Sequence, residues 1–159
     1  MRILFIRHAE AVEAEAFQGK DLDRPLSPGG RRKMRAAARV LFRRYGRPDR
    51  ILTSQAVRAR ATALILAKAA GARQVVETPH LNPGAGRAGF RRLWGELDPS
   101  HEIVVMVGHE PDLSRLVSWL VADGALRLKF SKGACADIEM TGGASGVLRA
   151  FFQPDRLGS

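Results

Sequence analysis

The four-residue apolar run Ile3–Ile6 ends abruptly at Arg7-His8, and the five-residue run Ile103–Val107 ends in the same way at Gly108-His109. Runs of this length, closed by polar groups, read as buried strands rather than helices. Ile51 to Thr53, before Ser54, reads as another strand, and Val75-Val76 as a short third one. Helical patterns fill the gaps. Ser27-Pro28 supplies a serine cap and a proline at the first helical position. Met34, Ala37, Ala38, Leu41, Phe42 and Tyr45 then recur at helical spacing, and Gly46 is the stop. An alanine-rich helix is expected from about Ala56 to Ala70, one around Phe90–Leu97, and one opened by Pro111 with Leu113, Leu116, Val117, Leu120 and Val121 on one face. Strands alternating with helices imply a mainly parallel sheet covered on both faces, a three-layer α/β/α sandwich. The tail differs: Ala134–Met140 and Val147–Phe152, separated by Gly142-Gly143, read as a C-terminal strand pair.

At 159 residues the chain is expected to form one domain, residues 1–159. No apolar run approaches the ~20 residues that cross a bilayer, and Ile3–Ile6 is too short for the core of a signal peptide. The single cysteine, Cys135, excludes an internal disulfide framework and fits a reducing compartment. A cytoplasmic protein without a membrane partner is expected. The formal net charge of +10 points toward an anionic partner, but it is not spread evenly. Residues 24–60 hold twelve Lys and Arg against one acid, Asp49, while the other residues are almost neutral. The excess belongs mainly to the Arg31–Arg47 face of one helix, which reads as a solvated surface; whether that helix also docks an acidic protein is left open. No nucleic-acid partner is expected, because aromatic residues for base stacking are scarce.

In an open α/β sheet, ligands bind beyond the carboxyl ends of the strands. Arg7-His8, Ser54 to Arg58, and Gly108-His109-Glu110-Pro111 all fall there. Two arginines and two histidines brought together would form a compact cationic pocket. Arginine binds phosphate oxygens through two N–H groups at once, and helix N-termini add positive partial charge. A neutral histidine in such a pocket can act as a nucleophile, and a protonated one can stabilise developing negative charge.

These residues resemble the motifs of the histidine phosphatase superfamily. Arg7-His8-Ala9 is similar to its Arg-His-Gly signature, with Ala in place of Gly. Ser54-Gln55-Ala56-Val57-Arg58-Ala59 with Thr62 is similar to its Ser-x-x-x-Arg-Ala-x-x-Thr element, and Gly108-His109-Glu110-Pro111 to its second histidine motif. The short length and the Arg24-Pro25-Leu26-Ser27-Pro28-Gly29-Gly30 stretch are most similar to small SixA-type phosphohistidine phosphatases. The resemblance implies a phosphoglycerate-mutase-like fold and a phosphatase that needs no metal or other cofactor. It implies that His8 takes the phosphoryl group as a phosphohistidine intermediate, while Arg7, Arg58 and His109 bind its oxygens. The implied partner is a phosphorylated protein or a small phosphorylated compound. Oligomeric state is left open.

One departure bears on the substrate. Many members place a carboxylic acid after the third strand to protonate the leaving group; here the segment reads Glu77-Thr78-Pro79-His80-Leu81-Asn82-Pro83. His80 is the candidate general acid at that place. Without a carboxylic acid, phosphoramidates such as phosphohistidine are favoured over alkyl phosphates, since an alkoxide is a costly leaving group. The alternative to an enzyme is a phosphate- or polyphosphate-binding module on the same fold, with the arginines as anion receptors. Cys135 reads as a small buried hydrophobe, His101 as a bystander before a strand, and Glu10 and Glu110 as solvated or paired with nearby arginines.

Overall fold

The computed structural model describes residues 1–154; residues 155–159, the end of the expected 1–159 domain, lie outside the described residues. Six strands form one mixed sheet in the order β3-β2-β4-β1-β5-β6. They are β1 (Arg2–Arg7), β2 (Arg50–Thr53), β3 (Val76–Glu77), β4 (Ile103–Gly108), β5 (Cys135–Gly142) and β6 (Ser145–Phe152). The first four run parallel, and the β5–β6 hairpin pairs antiparallel to β1. Four helices complete the fold: α1 (Pro28–Tyr45), α2 (Val57–Ala70), α3 (Gly86–Glu96) and α4 (Asp112–Ala122).

Alternation along the strands produces the two covered faces. Leu4, Ile6, Ile51, Val105 and Val107 pack with the buried faces of α1 and α2. Ile3, Phe5, Leu52, Val104 and Met106 pack with those of α3 and α4 on the other side. Successive strand residues point to opposite faces, so a strand buried on both sides has to be apolar throughout. That is why the apolar runs Ile3–Ile6 of β1 and Ile103–Val107 of β4 are unbroken. The result is the expected three-layer α/β/α sandwich.

The periodicity of α1 is read correctly to its ends. The Ser27 hydroxyl accepts the Gly30 N–H at 3.0 Å, and the Gly46 N–H closes the helix on the Phe42 carbonyl. Gly30 is required where it stands, because a Cβ there would lie 2.1 Å from the Glu10 carbonyl oxygen. This contact presses the start of α1 onto the loop that follows β1.

Several boundaries differ from the sequence expectation, among them those of the tail, where the expected strands Ala134–Met140 and Val147–Phe152 run Cys135–Gly142 and Ser145–Phe152. The third strand is Val76–Glu77, because only these residues find partners, Leu52 and Thr53, on β2. Helix α3 begins at Gly86 instead of Phe90; Gly84 N–H bonds the Asp112 carboxylate and Ala85 N–H bonds the Asn82 carbonyl, so tertiary contacts start a helix that its glycines conceal. A buried polar cluster also escapes sequence reading. Asp137 on β5 is fully buried and accepts from Tyr45 Oη at 2.6 Å and Arg2 Nε at 3.0 Å, tying α1, β1 and β5 together. Cys135 is buried as expected, and burial pushes its thiol pKa up, away from reactivity. Among the described residues no helix is long and apolar enough to cross a membrane.

Candidate active site

The parallel register sets Arg7 opposite Gly108, and Thr53 opposite Val107. The ends of β1, β2 and β4 therefore open onto one place, and the residues after them converge there. His8 N–H bonds the Gly108 carbonyl at 3.1 Å, and Ser54 N–H bonds the Val107 carbonyl at 3.1 Å. Arg58 comes from the first turn of α2 and is buried with the two histidines. Of the sequence-expected residues, His8, Arg58 and His109 meet directly: Arg58 Nε lies 3.4 Å from His8 Nε2, Arg58 Nη2 lies 3.5 Å from His109 Nδ1, and the two imidazole centroids are 5.1 Å apart.

Hydrogen bonds set the tautomer of each histidine. His8 Nδ1 is 2.7 Å from the Ala9 carbonyl, an acceptor only, so Nδ1 carries the proton and Nε2 keeps its lone pair. Arg58 can only donate, so His109 Nδ1 accepts. His109 Nε2–H therefore donates to Ser54 Oγ at 2.8 Å, and the Ser54 hydroxyl in turn donates to Asn82 Oδ1 at 3.0 Å. Thr62, from the second motif, accepts the Ala9 N–H and donates to the Arg58 carbonyl, linking the loop after β1 to α2.

Arg7 is anchored by Nη1 to the Phe130 carbonyl at 2.8 Å, while its buried Nε has no hydrogen-bond partner among the described residues. Such an orphaned cationic N–H is costly unless an anion meets it. Arg58 already meets one anion. Its Nη2 bonds Asp21 Oδ2 at 2.9 Å and its Nη1 the Asp21 carbonyl at 2.7 Å. Burial works against ionisation of Asp21, but the hydrogen bond from Arg24 and the Arg58 cation outweigh it and hold the carboxyl below its usual range.

Asp21 and Asn82 are the site residues that sequence reasoning missed. Both lie in loops without periodicity, and no local signal marks either. His80 sits in the short turn Pro79–Leu81, half-buried, with its backbone N–H on Thr78 Oγ1; among the described residues its ring makes no hydrogen bond. That turn reaches the histidines through Asn82 instead. Glu10 and Glu110 are not paired with arginines among the described residues. Glu10 accepts the Ser27 hydroxyl, and Glu110 accepts the Ser114 N–H at the start of α4. Among the described residues no group of three or more His, Cys, Asp or Glu is placed to hold a metal ion.

Burial first, and the nearby arginines second, lower the His8 pKa to about 4; burial, His8 and Arg58 lower that of His109 to about 3. Both imidazoles are thus neutral at neutral pH. An unfolded histidine titrates near 6.5, so between that value and about 3 the unfolded chain binds more protons than the folded one. Stability then falls as pH falls through this window. A melting-temperature series from pH 7.5 to 4 is expected to show this decline, and His109→Gln to flatten it. Equal slopes for the variant and the native chain would contradict the burial of a neutral His109.

Solved structures share this fold. The SixA protein histidine phosphatase solved with tungstate is 23% identical, with a TM-score of 0.85 and coverage of 99% of both chains. A candidate phosphohistidine phosphatase SixA from Agrobacterium tumefaciens is 26% identical, with a TM-score of 0.81 and coverage of 96% of this chain and 97% of that one. The α-ribazole phosphatase of Shigella flexneri is 18% identical, with a TM-score of 0.74 and 97% of each chain covered. Among curated proteins, none matches. The model of the histidine phosphatase superfamily (branch 1) matches residues 3–83, a span that holds Arg7-His8, Ser54 and Arg58. This chain belongs to that superfamily, and it is a hydrolase that removes phosphoryl groups.

Proposed function

We propose that the chain is a phosphohistidine phosphatase in which His8 is the nucleophile and Arg7, Arg58 and His109 bind the phosphoryl oxygens, His109 through Nδ1 once the anion draws Arg58 off that nitrogen and it takes up a proton. The Nε2 lone pair of His8 attacks phosphorus and a new P–N bond forms. The substrate imidazole takes up a proton from solvent on its other ring nitrogen beforehand; the P–N bond to it then breaks, and it leaves as neutral imidazole carrying that proton. Water then attacks the phosphorus on His8, phosphate departs, and Nε2 regains its lone pair. The unpartnered Nε of Arg7 and the guanidinium of Arg58 supply positive charge where the oxygens gain negative charge in the transition state.

The observation that carries the choice of leaving group is that, among the described residues, four carboxylates around the site are each engaged. Glu77, at the place where an acid is sought, pairs with Arg60 at 2.9 Å. Asp21 pairs with Arg58 and Arg24, Glu110 accepts from Ser114 N–H, and Asp112 accepts from Gly84 N–H. None is placed as a protonated carboxylic acid for an alkoxide. The fold likeness to the two SixA proteins points the same way, whereas that to the α-ribazole phosphatase favours the second reading, a small phosphorylated compound.

The test compares a phosphohistidine peptide with a simple alkyl phosphate, using the native chain and His80→Ala. The peptide is expected to be turned over at least about 10²-fold faster, the size of effect that a missing general acid has on a poor leaving group. His80→Ala is expected to leave the peptide rate nearly unchanged. Comparable rates on both substrates, or loss of peptide turnover in His80→Ala, would sink this choice of substrate.

A further inference from the structure

The cationic face of α1, expected to be a plain solvated surface, is one wall of a groove. Arg31, Arg35 and Arg39 face α2 across an open space of about 700 Å³, whose opposite rim carries Arg60 and Lys68. The floor between them is aliphatic, and it includes Val57, 38% exposed, and Leu64, 52% exposed. Among the described residues no carboxylate and no aromatic ring lines it. Arg60 is matched by Glu77, but Arg31, Arg35, Arg39 and Lys68 have no ion-pair partner among the described residues.

This charge pattern works against the helix that carries it. Helix α1 contains seven Lys and Arg and no acid, and its first turn bears cations at the end where the helix dipole favours anions. Arg31, Arg35 and Arg39 also repel one another at four-residue spacing. A set of like charges around uncovered apolar residues, costly to the chain alone, is relieved by a partner with the opposite pattern.

We infer that this groove docks an acidic amphipathic helix of the phosphorylated protein substrate, an inference that rests on the phosphohistidine reading above. The groove starts beside the site: Val57 directly precedes Arg58, and Arg31 N–H bonds the carbonyl of Ser27, whose hydroxyl bonds Glu10 two residues after His8. From Arg31 to Arg39 the rim runs about 12 Å along α1, and from Val57 to Lys68 about 16 Å along α2, so a guest helix of roughly three turns fits. Apolar residues at i, i+3, i+4 and i+7 would rest on Val57, Leu64 and Ile65, with acids on either flank meeting the cationic rims. Nucleic acid is a poorer match, because an aliphatic floor offers nothing for bases to stack on.

The probe is a fluorescein-labelled 18-residue helical peptide with leucines at those spacings and glutamates elsewhere, followed by anisotropy with the full chain. Saturable binding that weakens with salt is expected. Arg35→Glu/Arg39→Glu is expected to weaken it about tenfold or more, and Leu64→Ser severalfold. With a phosphohistidine segment joined to the peptide, the same variants are expected to raise KM with kcat preserved, while hydrolysis of free phosphoramidate stays unchanged. Equal binding of a lysine version, unchanged binding by the variants, or tighter binding of a single-stranded oligonucleotide or anionic vesicles would overturn the docking role. The two readings fail separately. Groove-dependent binding without phosphohistidine turnover supports the groove and overturns the substrate, whereas turnover indifferent to the groove variants overturns the groove alone.

Discussion

His8→Ala is expected to lower phosphohistidine turnover by at least about 10³-fold, the scale on which loss of a nucleophile is felt, while phosphate or tungstate still binds. The reasoning starts from the tautomer. The Ala9 carbonyl fixes the His8 proton on Nδ1, and burial keeps the ring neutral, so Nε2 offers its lone pair at neutral pH. Neither of the other two nucleophile candidates among the described residues can replace it. His109 has its Nε2–H committed to Ser54, and Cys135 is buried with its thiol pKa pushed up. Arg7, Arg58 and His109 would remain in the variant, so anion affinity is retained. Two readouts check this: alkali-quenched labelling with a radioactive phosphoramidate, which should mark the native chain and not the variant, and tungstate binding by calorimetry, which should persist. Residual turnover within tenfold of native would exclude His8 as the nucleophile, and loss of both readouts in a folded variant would assign it to binding. Removal of a buried neutral imidazole should also make the variant less sensitive to acid below pH 6.5, a sign of intact folding that mere damage would not give.

The fold was legible because its information is local. Four apolar residues ending at Arg7-His8 can hardly be other than a strand leaving the core, and the face Met34 to Tyr45 can hardly be other than a buried helix stripe. The convergence of His8, Arg58 and His109 followed from a rule of topology, since residues after parallel strands share one edge. What escaped depends on contacts between distant loops. Asp21 lies 37 residues before Arg58 in a segment without period, and only the folded chain shows its carboxylate on that guanidinium. Asn82 comes from the turn in which His80 was the candidate acid, and two residues of spacing decide which side chain reaches Ser54. The basic face of α1 was visible from the sequence, but its apolar neighbours on α2 were not, so it read as a solvated surface. Asp137 was missed for a similar reason: a lone acid in a strand-like run gives no hint that Tyr45, 92 residues earlier, donates to it.

Arg58→Met is the second large effect expected, a fall of about 10²–10³ in kcat/KM, comparable with removing one strong donor to developing negative charge. Among the described residues Arg58 is the one side chain that bonds to both histidines, and it does so from the first turn of a helix. Arg58→Lys should recover only part of the loss, since an ammonium is a point charge and cannot serve both imidazoles and an oxygen in one plane. A bulky aliphatic replacement retains most of the volume, so a packing role alone would leave catalysis largely intact. The electrostatic role has its own signature. The Arg58 cation is among the causes that lower the pKa of both His8 and His109, after burial in each case. Its removal should move both histidine titrations upward toward 6.5, which NMR of the imidazole protons reads directly. Asp21 would then keep Arg24 as its remaining partner, so its carboxyl should stay ionised and add to the upward shift. Unmoved histidine titrations in a variant with impaired turnover would mean that Arg58 acts on the substrate alone, and upward shifts with native turnover would remove it from the proposed mechanism.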